Sequence, residues 1–153
     1  MNNTILRLDE KLVDDFCNLR IELLEELGEI RNDTNISQLK FVTKKYYLSH
    51  INKDLISWGI LCNKNIVAIG SLCLFTRIPY EENLSGLEGY ILNIYTCPQF
   101  RKYGFANLIL DEIIKYASET NIKRLWLNSS ENGEKLYCKK GFIKKENEME
   151  LLL

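Results

Sequence analysis

The run Arg101-Lys102-Tyr103-Gly104-Phe105-Ala106 carries the clearest chemical signal in the chain. It follows a β-type stretch at residues 88–96. It opens directly onto a helical pattern in which Ala106, Ile109, Leu110, Ile113, Ile114 and Ala117 share one face. The first N–H groups of a helix have no intrahelical partner and carry a partial positive charge. A glycine in the turn before them lets an anion approach the backbone closely, and Arg101 and Lys102 add full charges nearby. The spacing points to an anion, with phosphate the natural occupant. Two other phosphate patterns, G-x-x-x-x-G-K-[ST] and G-x-G-x-x-G, are absent. On these residues alone, an ordinary strand-to-helix connection fits equally well.

The elements around this turn follow from periodicity. Residues 5–8 suit a short strand. From Asp9, Leu12, Phe16, Leu19, Leu23 and Leu27 recur at helical spacing, and Gly28 is a natural stop. Asn35, with Gln38 three residues on, caps a second helix running to about His50. Residues 55–61 and 66–76 read as strands joined by a hairpin turn at Cys62-Asn63-Lys64-Asn65. A loop at 78–87, holding Pro79 and Gly86, leads to the strand at 88–96, which Pro98 ends. A strand at 122–127, a short helix at 131–140 stopped by Gly141, and two closing strands at 142–145 and 148–153 complete the order β-α-α-β-β-β-α-β-α-β-β. No repeat, linker or low-complexity stretch interrupts it, so residues 1–153 read as one α/β domain.

Composition narrows the function. The chain has 153 residues, 46% hydrophobic and 27% charged, with a net charge of −1. That balance excludes a nucleic-acid binder acting through bulk positive charge. No apolar run reaches the roughly 18 residues of a membrane span, and Met1-Asn2-Asn3-Thr4 lacks the start of a secretory leader. Five cysteines without a close pair, and one histidine, supply a metal site poorly. The expectation is a cytoplasmic protein with reduced thiols, no metal, no membrane partner and no nucleic-acid partner.

Arg101-x-x-Gly104-x-Ala106 resembles the [QR]-x-x-G-x-[GA] pyrophosphate loop of the GCN5-related N-acetyltransferases, the GNAT family. The stretch Gly89 to Gly104, with Pro98 ahead of the loop, resembles that family's strand-plus-loop. Leu136-Tyr137-Cys138-Lys139-Lys140-Gly141-Phe142 resembles its later L-Y-x-x-x-G-F signature. Both signatures stand in order with one strand between them. The resemblance implies a mixed, mostly antiparallel sheet flanked by about four helices, and acetyl-CoA as cofactor.

The resemblance also implies roles. Arg101, Lys102, Tyr103, Gly104, Phe105 and Ala106 would hold the CoA pyrophosphate through backbone N–H groups. Ile94, Tyr95 and Thr96 would lend main-chain groups to the pantetheine arm, which pairs like a strand. Asn132 would touch the arm from the other side, in a stretch that departs from the family's protein-N-terminal enzymes. Tyr137 would protonate the departing thiolate, and a bulge N–H from Ile94 or Tyr95 would stabilise the oxyanion. Glu88 is the candidate base, with Glu81, Glu82 or water as alternatives. Cys97, with no histidine nearby in sequence, is a poor nucleophile candidate.

The expected reaction is acetyl transfer to a primary amine of a small molecule. Glu25, Glu26, Glu29, Asp33, Glu81, Glu82 and Glu88 favour a cationic acceptor if they line its pocket. A non-catalytic acyl-CoA-binding or regulatory domain, or a protein N-terminal or lysine acetyltransferase, are the alternatives. Pairing of the last strands would give a homodimer.

Overall fold

The hydrophobic periodicities resolve into two layers of helices around one sheet. A computed structural model describes residues 2–153. The elements are β1 (Asn3–Arg7), α1 (Val13–Glu26), α2 (Ile36–His50), β2 (Leu55–Cys62), β3 (Asn65–Thr76), β4 (Leu87–Thr96), α3 (Phe105–Glu119), β5 (Arg124–Trp126) and α4 (Glu131–Lys139). Short 3₁₀ turns at Glu10–Leu12 and Pro98–Phe100 lead into α1 and toward α3. The strands lie in the order β1-β2-β3-β4-β5. The first four are mutually antiparallel and β5 runs parallel to β4. The sheet is therefore mixed and mostly antiparallel, as expected.

Side-chain alternation splits the core in two. Ile56, Leu72 and Ile91 face α3, where Ile109, Leu110 and Ile113 are completely buried against them. Ile69, Tyr95 and Leu55 face the other way, toward Phe16, Leu19 and Tyr47 of α1 and α2. The caps act as the sequence indicates. The Asn35 side chain accepts from the Gln38 N–H at 2.9 Å, and Gly28, past the end of α1, has φ of 74°. Among the described residues no helix is long and apolar enough to cross a membrane.

The two closing strands expected at 142–145 and 148–153 do not form. A strand exists only against a partner. The outermost strand, β5, has three residues and so offers little ladder to extend. Lys144-Lys145-Glu146 also interrupts the alternation that would give this segment a buried face. Residues 143–153 lie exposed, Ile143 and Leu151 at 81% and 82% among them.

Candidate functional site

The site grows from β4, whose two halves have different neighbours. Glu88, Gly89 and Tyr90 pair with Arg124, Leu125 and Trp126, and there the β4–β5 ladder stops. From Ile91 to Thr96 β4 keeps β3 on one side and has no strand on the other. An extended chain has an open backbone edge to join there. The β3–β4 register also shifts: Ile69 opposes Tyr95, but Ser71 opposes Leu92. Asn93 and Ile94 together stand opposite Gly70, which makes a β-bulge. Asn93 takes the left-handed conformation, φ 61°, that asparagine tolerates better than most residues. A Cβ on Gly70 would run into the side chains of Ile94 and Ile109, so the bulge and α3 need a glycine there.

The turn after β4 has the shape of an anion cradle. Lys102 and Gly104 have φ of 69° and 80°, and Gly104 leads into α3 with no side chain capping the helix. The first N–H groups of α3 are left for another acceptor. A Cβ placed on Gly104 would meet nothing within 4 Å, so space lies open in front of them. These features fit a phosphate group. Phe105 is buried in the core and offers the cradle only its backbone, while Ala106 is half-buried. The exposed Tyr103 ring stacks on Phe105 with centroids 5.9 Å apart. The Arg101 side chain turns toward α1, pairing with Glu26 and donating through Nε to the Thr96 carbonyl at 3.0 Å.

Tyr137 sits on α4. Its ring packs edge-on to Phe142 at 5.9 Å and beside Gly133. Among the described residues its hydroxyl has no hydrogen-bond partner, and burial pushes its pKa above the usual tyrosine value. A cavity of about 1210 Å³ opens beside it, lined also by Arg124, Trp126 and Asn128. Asn132 lies exposed in the first turn of α4, whose N–H groups Ser130 caps through Gly133 N at 3.2 Å.

Glu88 is completely buried and both its oxygens are engaged. Oε1 accepts from the Tyr80 hydroxyl at 3.0 Å and lies 3.5 Å from Arg77. Oε2 accepts from Arg124 at 3.0 Å. The carboxylate thus ties the loop before β4 to β5 through both its oxygens. Glu81 and Glu82, the alternatives, are exposed in that loop. Of the acids that suggested a cationic acceptor, Glu26 pairs with Arg101, Asp33 with Arg31, and Glu25 and Glu29 are exposed. Cys97 is a buried thiol, its pKa raised by burial and then by Glu22, which keeps it unreactive at neutral pH.

Sequence reading missed the face of β4 that looks toward α1 and α2. Register sets Tyr90 beside Cys73, and the Tyr90 ring lies 4.5 Å from Trp126, which in turn meets Phe75 at 6.1 Å. Arg20 of α1 reaches across to donate to Asn93 Oδ1 at 3.2 Å. Tyr95, next along, donates to Glu22 at 3.2 Å. Its own pKa is pushed up to about 12 by burial and then by that carboxylate. The signal for Asn93 is one amide within an otherwise apolar and aromatic run, Tyr90-Ile91-Leu92-Asn93-Ile94-Tyr95.

The comparisons with known proteins agree with this geometry. The model of the acetyltransferase (GNAT) domain matches residues 58–151. A predicted acetyltransferase from Clostridium acetobutylicum, solved with acetyl-CoA, is 28% identical with a TM-score of 0.87, covering 99% of this chain and 96% of that one. A GCN5-related N-acetyltransferase from Ralstonia eutropha shares the fold at 20% identity and a TM-score of 0.88, covering 99% of both chains. A ribosomal-protein-alanine N-acetyltransferase from Brucella melitensis shares it at 18% identity and 0.77, covering 100% of both. No curated protein matches the chain.

Proposed function

The chain belongs to the GNAT family of acetyltransferases, and from that premise we propose that it transfers the acetyl group of acetyl-CoA to a primary amine of a small molecule. The observation that carries this reading is the open edge of β4 beyond Tyr90, ending at an uncapped, glycine-led helix. One continuous surface there offers strand-like pairing to an amide-bearing arm and N–H groups to its pyrophosphate.

When bound, acetyl-CoA supplies the acetyl group as a thioester, which a neutral amine attacks directly. Residues 101–106 hold the pyrophosphate by their backbone. The main chain of Ile94, Tyr95 and Thr96 aligns the pantetheine arm. At the bulge, an N–H of Ile94 or Tyr95 donates to the carbonyl oxygen as negative charge gathers on it, and needs no reorganisation to do so. Tyr137, kept protonated by its burial, gives its proton to the departing sulfur. Asn132 flanks the arm from α4. With both its oxygens occupied, Glu88 positions Arg77 and Arg124, and the amine proton leaves to water.

Thermal unfolding with acetyl-CoA, using ADP as control, tests the cofactor. At 100 times its dissociation constant a ligand stabilises by about 2.7 kcal/mol, a rise of about 5–10 °C in a chain of this length. An unchanged midpoint at saturating acetyl-CoA would overturn the cradle. Thiol release on adding a panel of amines then tests the transfer.

A further inference from the structure

Among the described residues, three lysines or arginines are not solvent-exposed: Arg20, Arg124 and Lys140. Arg124 pairs with Glu88 and Lys140 with Asp111. Arg20 has no carboxylate. Its hydrogen bond is to the neutral Asn93 amide at 3.2 Å, and a half-buried guanidinium with only that partner is short of negative charge.

The Asn93 side chain shows a matching deficit. A guanidinium can only donate, so the amide atom facing Arg20 is the oxygen. Asn93 Nδ2 is thereby left buried without an acceptor. Two donor-bearing groups thus converge at the β4 bulge, and no carboxylate among the described residues pairs with either. The surroundings do not supply one. Glu22 and Glu88, on the same face, are held by Tyr95 and Arg124, and nearby Asp54 is held by His50 at 2.7 Å. Tyr46, whose hydroxyl lies 3.8 Å from Cys73 Sγ, is close enough to Arg20 to feel its charge, as is Cys73. Burial, then Cys73, lifts the Tyr46 hydroxyl to about 12, so it too stands there as a neutral donor.

Building on the transferase reading, we propose that Arg20, oriented by Asn93, binds an oxyanion carried by the acceptor, so that the preferred substrate is a primary amine that also bears a carboxylate or phosphate. Asn93 is the positioning residue. Its left-handed backbone makes the bulge while its side chain holds the guanidinium, so the anion anchor and the oxyanion N–H come from neighbouring positions of one strand. A further positive charge on the acceptor would face the unpaired guanidinium, which selects against polycations.

The test uses matched acceptors: an amino carboxylate with its carboxamide, and an aminoalkyl phosphate with the corresponding amino alcohol. Two readouts run in parallel, thiol release as kcat/KM with acetyl-CoA, and calorimetric binding to the protein–CoA complex, in which no turnover is needed. The wild type should favour one anionic member over its neutral partner by about tenfold or more, the range of a charge-assisted hydrogen bond. The pair that shows it identifies carboxylate or phosphate. In Arg20→Gln that ratio should fall toward one, carried by KM more than kcat, and Arg20→Lys should restore part of it as a single point charge. A ratio near one for both pairs in the wild type, or a ratio that survives in Arg20→Gln with an unchanged unfolding midpoint, overturns the proposal. Absence of thiol release with every amine counts against the transferase reading, while the binding ratio still reports on Arg20 by itself.

Discussion

The two halves of β4 are built for opposite purposes. Glu88 to Tyr90 is closed: β3 lies on one side, β5 on the other, and a fully buried carboxylate is held between two arginines and a tyrosine. Ile91 to Thr96 is open on one edge, bulged at Asn93, and carries a buried amide nitrogen without a partner. In the first half the buried carboxylate is satisfied from within the chain, and the donor left over beside it is the Trp126 indole N–H on β5. In the second the groups left over are those an incoming molecule would satisfy. The charged residue of the closed half braces Arg77, Arg124 and Tyr80, at a position that also suits a base. The difference predicts that changes in the closed half move stability, and changes around the open half move rate or affinity.

Tyr137→Phe should give the largest effect. Loss of the proton donor lowers kcat by about 100-fold, with little change in acetyl-CoA affinity or unfolding midpoint. Steady-state kinetics beside a thermal melt read both, and a retained kcat would show that the sulfur leaves without this phenol. Glu88→Gln should do the reverse. Removing charge between Arg77 and Arg124, which are themselves partly solvated, should cost about 2 kcal/mol in urea unfolding. A rate lowered by orders of magnitude at unchanged stability would restore Glu88 as the base and erase the contrast. Gly104→Ala places a non-glycine residue at φ 80°. It should cost about 1 kcal/mol and weaken acetyl-CoA binding in calorimetry; unaltered binding would move the phosphate away from this turn.

The last effect is alkaline and sets in only above pH 10. Tyr46 and Tyr95 have folded values of about 12, against an ordinary 10.0 that the unfolded chain keeps. Their neutral forms therefore contribute stability that is fully present below pH 10 and is lost as pH rises toward 12. Tyr47, whose hydroxyl donates to the Asp9 carbonyl at 2.7 Å, is shifted in the same direction, chiefly by burial. Denaturant midpoints measured between pH 9 and 12 should decline, and a flat profile would show these hydroxyls to be better hydrated than the fold implies.

The cradle was legible in sequence because backbone recognition imposes a spacing: a strand that must end, a glycine that must take positive φ, a helix that must begin. The strands and helices around it were legible through periodicity, and the Asn35 cap through its own chemistry. The side-chain half of the site was not. Arg20 and Asn93 lie 73 positions apart, and nothing in either neighbourhood names the other. Glu88 has a base's type and location, and its two arginines appear only once β5 lies beside β4. The segment 142–153 misled for the complementary reason: its apolar residues have the composition of a strand, but no partner supplies a ladder.

The bulge at Asn93 also acts as a phase shift. Before it, odd-numbered residues of β4 such as Gly89 and Ile91 look toward α3. After it, even-numbered Ile94 packs on that side while Tyr95 looks toward α1. The strand is written in two frames joined by a single spare residue. Flattening the bulge with every residue kept would turn over everything downstream, sending the Tyr95 phenol into the α3 core and Ile94 toward Glu22. Deleting Asn93 itself would close the ladder one to one, with Ile94 and Tyr95 facing as before, and would remove the bulge and the Arg20 contact together.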